Sequence, residues 1–243
     1  MKKIKFLSKL LLIVLLIFIL GACSNDDITE LEVHGDVLFV KKLIDGEPVV
    51  GTAYYAYSSK VLSSCTVTPP NFDQNIDLAA YQTNTFLFAY EPSNSDFSSG
   101  SPNEGNYLFN ATSSDNENIE VSDEQSFSDL GFAQLDDRTF DTSEDWLHLT
   151  WGEVTGADSY KLSLIDTAGV TVFSSYAVNP DSPEFYITTL YDVGTWTKYP
   201  VYNDTYTLRI QCNIYDSDAT EEDYAYSVQE ISQKDYSIVW KLN

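Results

Sequence analysis

From about residue 31 onward the chain has almost no helical periodicity. Short runs rich in Val, Ile, Thr, Tyr and Phe recur between clusters of Gly, Pro, Asn, Asp and Ser. That pattern suits pleated strands of an all-β sandwich. The run Trp146-Leu147-His148-Leu149-Thr150-Trp151 is the clearest case. Side chains alternate across a strand, so Leu147, Leu149 and Trp151 are expected on the core face and Trp146, His148 and Thr150 on the outer face. Tyr160, Leu162 and Leu164 repeat the alternation. Further strands are expected at 170–176, 185–190 and 206–210, and two more at about 224–231 and 236–242.

The N-terminal half is looser. Val37-Leu38-Phe39-Val40 reads as a continuous apolar strand. Others are expected at 52–57, 61–68, 77–81, 85–90, 105–111 and 119–121. A mature length of about 220 residues suits two domains of roughly 100 residues each. The predicted fold is therefore all-β, with two tandem β-sandwich domains at 31–122 and 143–243. Residues 123–142, rich in Asp, Ser and Glu, read as a linker. Its Phe127, Leu130, Phe132 and Leu135 are expected to pack onto one domain or to open the next.

The N-terminus is of a different kind. Lys2, Lys3, Lys5 and Lys9 precede an unbroken apolar run, LLLIVLLIFIL, from residue 10 to 20, followed by Gly21, Ala22 and Cys23. That run is too short for a hydrocarbon core, which takes roughly 20 apolar residues. A basic segment, a short apolar segment and small residues before a cut form the layout of a secretory signal, with a short transmembrane anchor as the alternative. Leu20-Gly21-Ala22-Cys23 resembles the lipobox of bacterial outer-membrane lipoproteins. The resemblance implies a signal peptide at 1–22, cleavage before Cys23, and a diacylglycerol on the Cys23 thiol. Two or more acyl chains give stable anchoring. Residues 23–30 would then be an acidic tether. Its Ser24-Asn25-Asp26-Asp27 is similar to a signal that exports some lipoproteins to the outer face of the cell; a plain solvated tether is the alternative.

LTWGEVTGADSYKLSLID (149–166) and YNDTYTLRIQC (202–212) resemble the fibronectin type III domain. The resemblance, over about 143–243, implies an inward Trp151 and a tyrosine corner at Tyr206, whose hydroxyl bonds back to the chain. The chain departs from the family at 194–202, a long aromatic loop, and it contains no Arg-Gly-Asp triplet. Gly105, two residues before Tyr107, is similar to a second tyrosine corner, as in immunoglobulin-like and PKD-like domains.

Charge narrows the function. There are 13 Lys and Arg against 37 Asp and Glu, a formal net charge of −24, and four of those lysines lie in the first 22 residues. Without a basic patch to displace counterions, nucleic acid is excluded as a partner. Electrostatic docking to anionic lipid is excluded on the same ground. At 43% hydrophobic and 14% aromatic residues, the chain is too apolar to be disordered. His34 and His148 have no partner at metal spacing and are read as surface residues. No H-E-x-x-H, C-x-x-C, Gly-rich phosphate loop or G-x-S-x-G is present. No enzymatic activity is expected. Cys65 and Cys212 read as small buried hydrophobes, with a disulfide between them left open.

Two candidate sites remain. Tyr191, Trp196, Tyr199 and Tyr202 crowd the loop before Tyr206; such rings stack on sugars or anchor a protein partner, or else they cap the sandwich. If they serve binding, at least two are exposed in one patch and Trp196 is a surface residue. Asp216, Asp218, Glu221, Glu222 and Asp223 form a candidate Ca2+ site, with a solvated acidic loop as the alternative. The expected function is a non-catalytic cell-surface lipoprotein that binds a glycan or protein ligand. The alternative is a structural spacer or a subunit of an envelope assembly. Exposure of the loop rings discriminates the two.

Overall fold

A computed structural model of the protein describes residues 30–141, 146–217 and 227–240. The described residues are all-β, apart from one 3-10 turn at Asn94–Asp96. Cys23 and the whole segment 1–29 lie outside them, as do Asp218, Glu221, Glu222 and Asp223.

The first seven strands are β1 (Val33–Ile44), β2 (Glu47–Ser58), β3 (Leu62–Thr68), β4 (Ile76–Tyr81), β5 (Asn84–Tyr90), β6 (Gly105–Ser113) and β7 (Asn118–Gln125). They lie side by side in the order β1-β2-β5-β4-β3-β6-β7. The run curls until its ends meet, and the Asp123 carboxylate of β7 accepts the Val37 N–H of β1 at 2.7 Å. Val37, Phe39, Tyr54, Val67, Tyr107 and Phe109 fill the enclosed core. Gly105 takes φ +122°, a backbone conformation that favours glycine. It leads into Tyr107, whose hydroxyl donates to the Asn103 carbonyl in the manner of a tyrosine corner.

The second half contains β8 (Leu135–Asp141), β9 (Trp146–Trp151), β10 (Ser159–Ile165), β11 (Thr171–Ser175), β12 (Glu184–Thr188), β13 (Gly194–Trp196), β14 (Thr205–Tyr215) and β15 (Val228–Val239). The three-stranded sheet β12-β9-β8 faces the run β13-β11-β10-β14-β15. Between them lies a second core of Leu149, Trp151, Tyr160, Leu162, Phe173, Leu208 and others. The alternation expected of β9 is observed: Leu147, Leu149 and Trp151 are buried, and the residues between them are half-buried. Trp151 meets Tyr160 edge to face at 5.2 Å.

The segment 123–142, whose apolar residues were expected to pack onto one domain or to open the next, carries the end of β7 and all of β8. Its Phe127 packs on the first core and its Leu130 lies within the second. The two expected C-terminal strands are instead one strand among the described residues, Val228–Val239. The polar stretch Ser232-Gln233-Lys234-Asp235 contains no Gly or Pro to turn the chain. It pairs in unbroken register with β14, with Arg209 opposite Asp235 and Cys212 opposite Ser232.

The long β15 also joins the two halves. Its free edge pairs in parallel with β1, placing Phe39 opposite Glu230, Val40 opposite Ile231 and Lys41 opposite Ser232. Twelve strands thereby form one continuous sheet that passes both cores.

Candidate functional site

The aromatic loop is anchored at β13. Gly194 pairs with Ser175 on β11. A Cβ added at Gly194 would lie 2.3 Å from the Ser174 carbonyl, so only glycine permits this approach. Two residues on, Trp196 turns toward the core. Its ring lies 4.6 Å from Phe173 and 6.2 Å from Trp240, edge to face with the latter. Its indole N–H donates to the Thr188 carbonyl at 3.2 Å. Trp196 is half-buried and fixed on both sides, which departs from the surface role expected of it.

The other three rings of the loop are exposed: Tyr191 at 67%, Tyr199 at 66% and Tyr202 at 40%. Tyr199 and Tyr202 line one depression of about 340 Å³, together with Thr189, Pro200 and Trp240. Tyr199 also leans on Trp196, with ring centroids 5.9 Å apart. Trp196 is thus the pedestal and Tyr199 the exposed ring that it supports. Beneath the loop, the buried Tyr206 accepts the Val201 N–H on its hydroxyl at 2.9 Å. This is the tyrosine corner, and it fixes where residues 199–202 leave the sandwich.

Of the candidate cation ligands, only Asp216 is among the described residues. Its carboxylate accepts from the Gln125 amide at 3.1 Å, and the same amide reaches Asp123 at 3.2 Å. No group of three or more His, Cys, Asp or Glu among the described residues is arranged to hold a metal ion. Asp216 is part of an acidic junction with Asp123 and Asp36. Burial, and then the charges of Asp123 and Asp216, raise the Asp36 carboxyl to about 8.

His34 is exposed. His148 stacks on Tyr186 at 4.2 Å and lies 3.3 Å from the Glu184 carboxylate. Trp146 approaches the same Tyr186 at 4.7 Å. The outer face of β9 and β12 therefore carries an aromatic strip that sequence reading had not assembled. The outward alternation of Trp146 and His148 was legible; Tyr186 joins them only through the pairing of Tyr186 with His148. Cys65 and Cys212 are both buried, unpaired with each other, and in separate cores.

No family model matches the chain. No curated protein matches it. Among solved structures it is similar to the chicken CNTN1 FN1–FN3 domains, with a TM-score of 0.31 and 9% identity over 85% of this chain. It spans 64% of that structure's length, a little under two thirds. It is also similar to a segment of two fibronectin type III domains from chicken tenascin, with a TM-score of 0.28 and 12% identity, covering 88% of this chain and 98% of that one. A DUF3823 family protein from Bacteroides uniformis matches with a TM-score of 0.30 and 10% identity, over 85% of this chain and 99% of that one.

Proposed function

We propose that the protein is a non-catalytic lipoprotein of the outer membrane, anchored through Cys23 and facing the cell exterior. Its distal aromatic loop binds a glycan or protein ligand. The observation that carries this reading is the pair Tyr199 and Tyr202, exposed around one depression while Trp196 holds the loop against the core. Rings held on a rigid support lose little freedom on binding, which favours affinity. The basic, apolar and small-residue order of residues 1–23 supports the anchor.

Two measurements test the two parts. Metabolic labelling with a fatty-acid analogue is expected to mark the wild-type chain and to leave Cys23→Ala unmarked; undiminished label in the variant overturns the anchor. Intact cells displaying the protein are expected to bind immobilised glycans or extracellular-matrix proteins, and Tyr199→Ala/Tyr202→Ala is expected to weaken that binding.

The spacer reading is favoured by a separate observation, the parallel pairing of β1 with β15. It ties the two halves into one sheet, as a stiff projecting element requires. If cells displaying the wild-type protein bind none of these probes, the spacer becomes the function.

A further inference from the structure

The continuous sheet has an outer face as well as the face that covers the two cores. Because alternate residues point oppositely, Val37 and Phe39 enter the first core while Asp36 and Leu38 look outward. Pairing carries the outward face across β2 through Tyr55, which stands opposite Asp36. It carries the face across β14 and β10 through Gln211, which stands opposite Lys161. A groove of about 750 Å³ runs over this face, spanning strands from both halves of the chain. That volume lies in the range of sites that enclose a small ligand.

Five tyrosines line the groove: Tyr55, Tyr57, Tyr81, Tyr176 and Tyr215. Three are held in place by their own hydroxyls. Tyr55 donates to the Glu91 carboxylate at 3.1 Å, and Tyr176 to Asp192 at 2.7 Å. The Tyr215 hydroxyl lies 2.8 Å from that of Ser159. With those hydroxyls engaged, what the three residues offer the groove is ring surface. Tyr57 stacks beside Tyr55 at 6.4 Å, with the rings inclined by 22°. Between the rings stand polar groups: Gln211, Lys161 and Asn213 on one side, Glu91 and Asp36 on the other.

We infer that this groove binds a neutral oligosaccharide chain. A pyranose presents C–H groups on its faces and hydroxyls around its rim. The negative faces of fixed aromatic rings attract the C–H groups, and amide, ammonium and carboxylate groups pair with the hydroxyls. Protonated at neutral pH by its burial, Asp36 adds a hydroxyl donor at the groove floor. An extended peptide finds no edge here, because β1 is already paired with β2 on one side and β15 on the other. A polyanion would meet the charge of a chain at −24, with Lys161 the one lysine among the described residues that line the groove. The site lies apart from the Tyr199 depression, but the inference rests on the reading of the protein as a binding module.

The test is isothermal titration of the full chain in detergent micelles. The panel comprises maltoheptaose, cellohexaose, mannohexaose and xylohexaose, with oligogalacturonate and a proline-rich peptide as the contrasting probes. At least one neutral oligosaccharide is expected to bind. Tyr57→Ala/Tyr176→Ala is expected to weaken it by about tenfold or more, as loss of anchoring rings does. Tyr176 is 54% exposed, so Tyr176→Ala alone tests the site in a folded chain, with circular dichroism confirming the fold. Phe72→Ala, at a ring 53% exposed that lines neither the groove nor the loop depression, is expected to leave this affinity unchanged. No binding by any neutral oligosaccharide overturns the inference, as does a preference for oligogalacturonate or the peptide. Binding lost in Tyr199→Ala but kept in Tyr176→Ala overturns it while upholding the binding reading of the distal loop.

Discussion

Lys41 and Glu230, on the two parallel strands that join the halves, hold the same turn of chain through opposite chemistry. Glu230 is fully buried and accepts the N–H groups of Ser128 and Leu130 at 2.9 and 2.6 Å. Lys41 donates to the Leu130 carbonyl at 2.9 Å and to the Asp129 carboxylate at 2.5 Å. Asp129 takes φ +57°, so the turn they hold is strained for a non-glycine residue. The segment that connects the two cores is therefore clamped onto the β1–β15 seam.

Removing one half of this clamp leaves buried groups without partners. Glu230→Ala is expected to cost about 1–3 kcal/mol for each of the two N–H groups left without an acceptor. Urea unfolding followed by Trp fluorescence measures it. Because the clamp joins the halves, the single wild-type transition is expected to split into two.

Tyr206→Phe removes the acceptor of the Val201 N–H and little else. The expected loss is about 1 kcal/mol, the net worth of one hydrogen bond. Thermal unfolding at a fixed pH checks it, and an unchanged midpoint would argue against a structural role for the corner.

Trp196 and Tyr199 are neighbours with opposite expected behaviour. Trp196 packs on Phe173 and Trp240, so Trp196→Ala is expected to cost about 2 kcal/mol or more, approaching the roughly 3–5 kcal/mol of a fully buried Trp. Tyr199→Ala is expected to change stability by less than about 0.5 kcal/mol, as exposed substitutions do. Chemical denaturation of both variants separates the pedestal from the exposed ring.

Stability is expected to fall as pH rises through the neutral range. The Asp36 carboxyl is raised to about 8 from an ordinary 3.8, first by burial and then by Asp123 and Asp216. Between those values the folded chain binds more protons than the unfolded one. Its contribution is therefore complete below about pH 4 and lost as pH approaches 8, with a slope of at most about 1.4 kcal/mol per pH unit. Burial also raises the Glu230 carboxyl, which acts in the same direction. Urea midpoints between pH 5 and 8 are expected to decline in the wild type and to decline less in Asp36→Asn.

The two core thiols are expected to be inert. Burial pushes Cys65 up to about 12 and Cys212 up to about 11, so neither forms thiolate near neutral pH. Iodoacetamide at pH 8 is expected to leave both unmodified in the native chain and to label both in urea, read by mass spectrometry of the peptides that contain them.

What the sequence determined by itself was local. Alternation placed Leu147, Leu149 and Trp151 inward, because a strand's faces follow from its period of two. Gly105 before Tyr107 and the run up to Tyr206 marked the tyrosine corners through short-range turn chemistry. What tertiary structure decided was non-local. Nothing in Lys41 or Glu230 announces its partners 88 to 102 residues away, since parallel pairing of β1 with β15 depends on which edges remain free once each half has folded. Pairing with β14 turned an expected two-strand end into one strand, because β14 supplied partners along a polar stretch that looked like a turn. The β1–β15 pairing brought Tyr55 and Tyr57 into one groove with Tyr176 and Tyr215. Trp196 was misplaced for a related reason. Composition marks a ring as aromatic, but only the close approach at Gly194 and the vacancy between Phe173 and Trp240 decide whether that ring faces solvent or core.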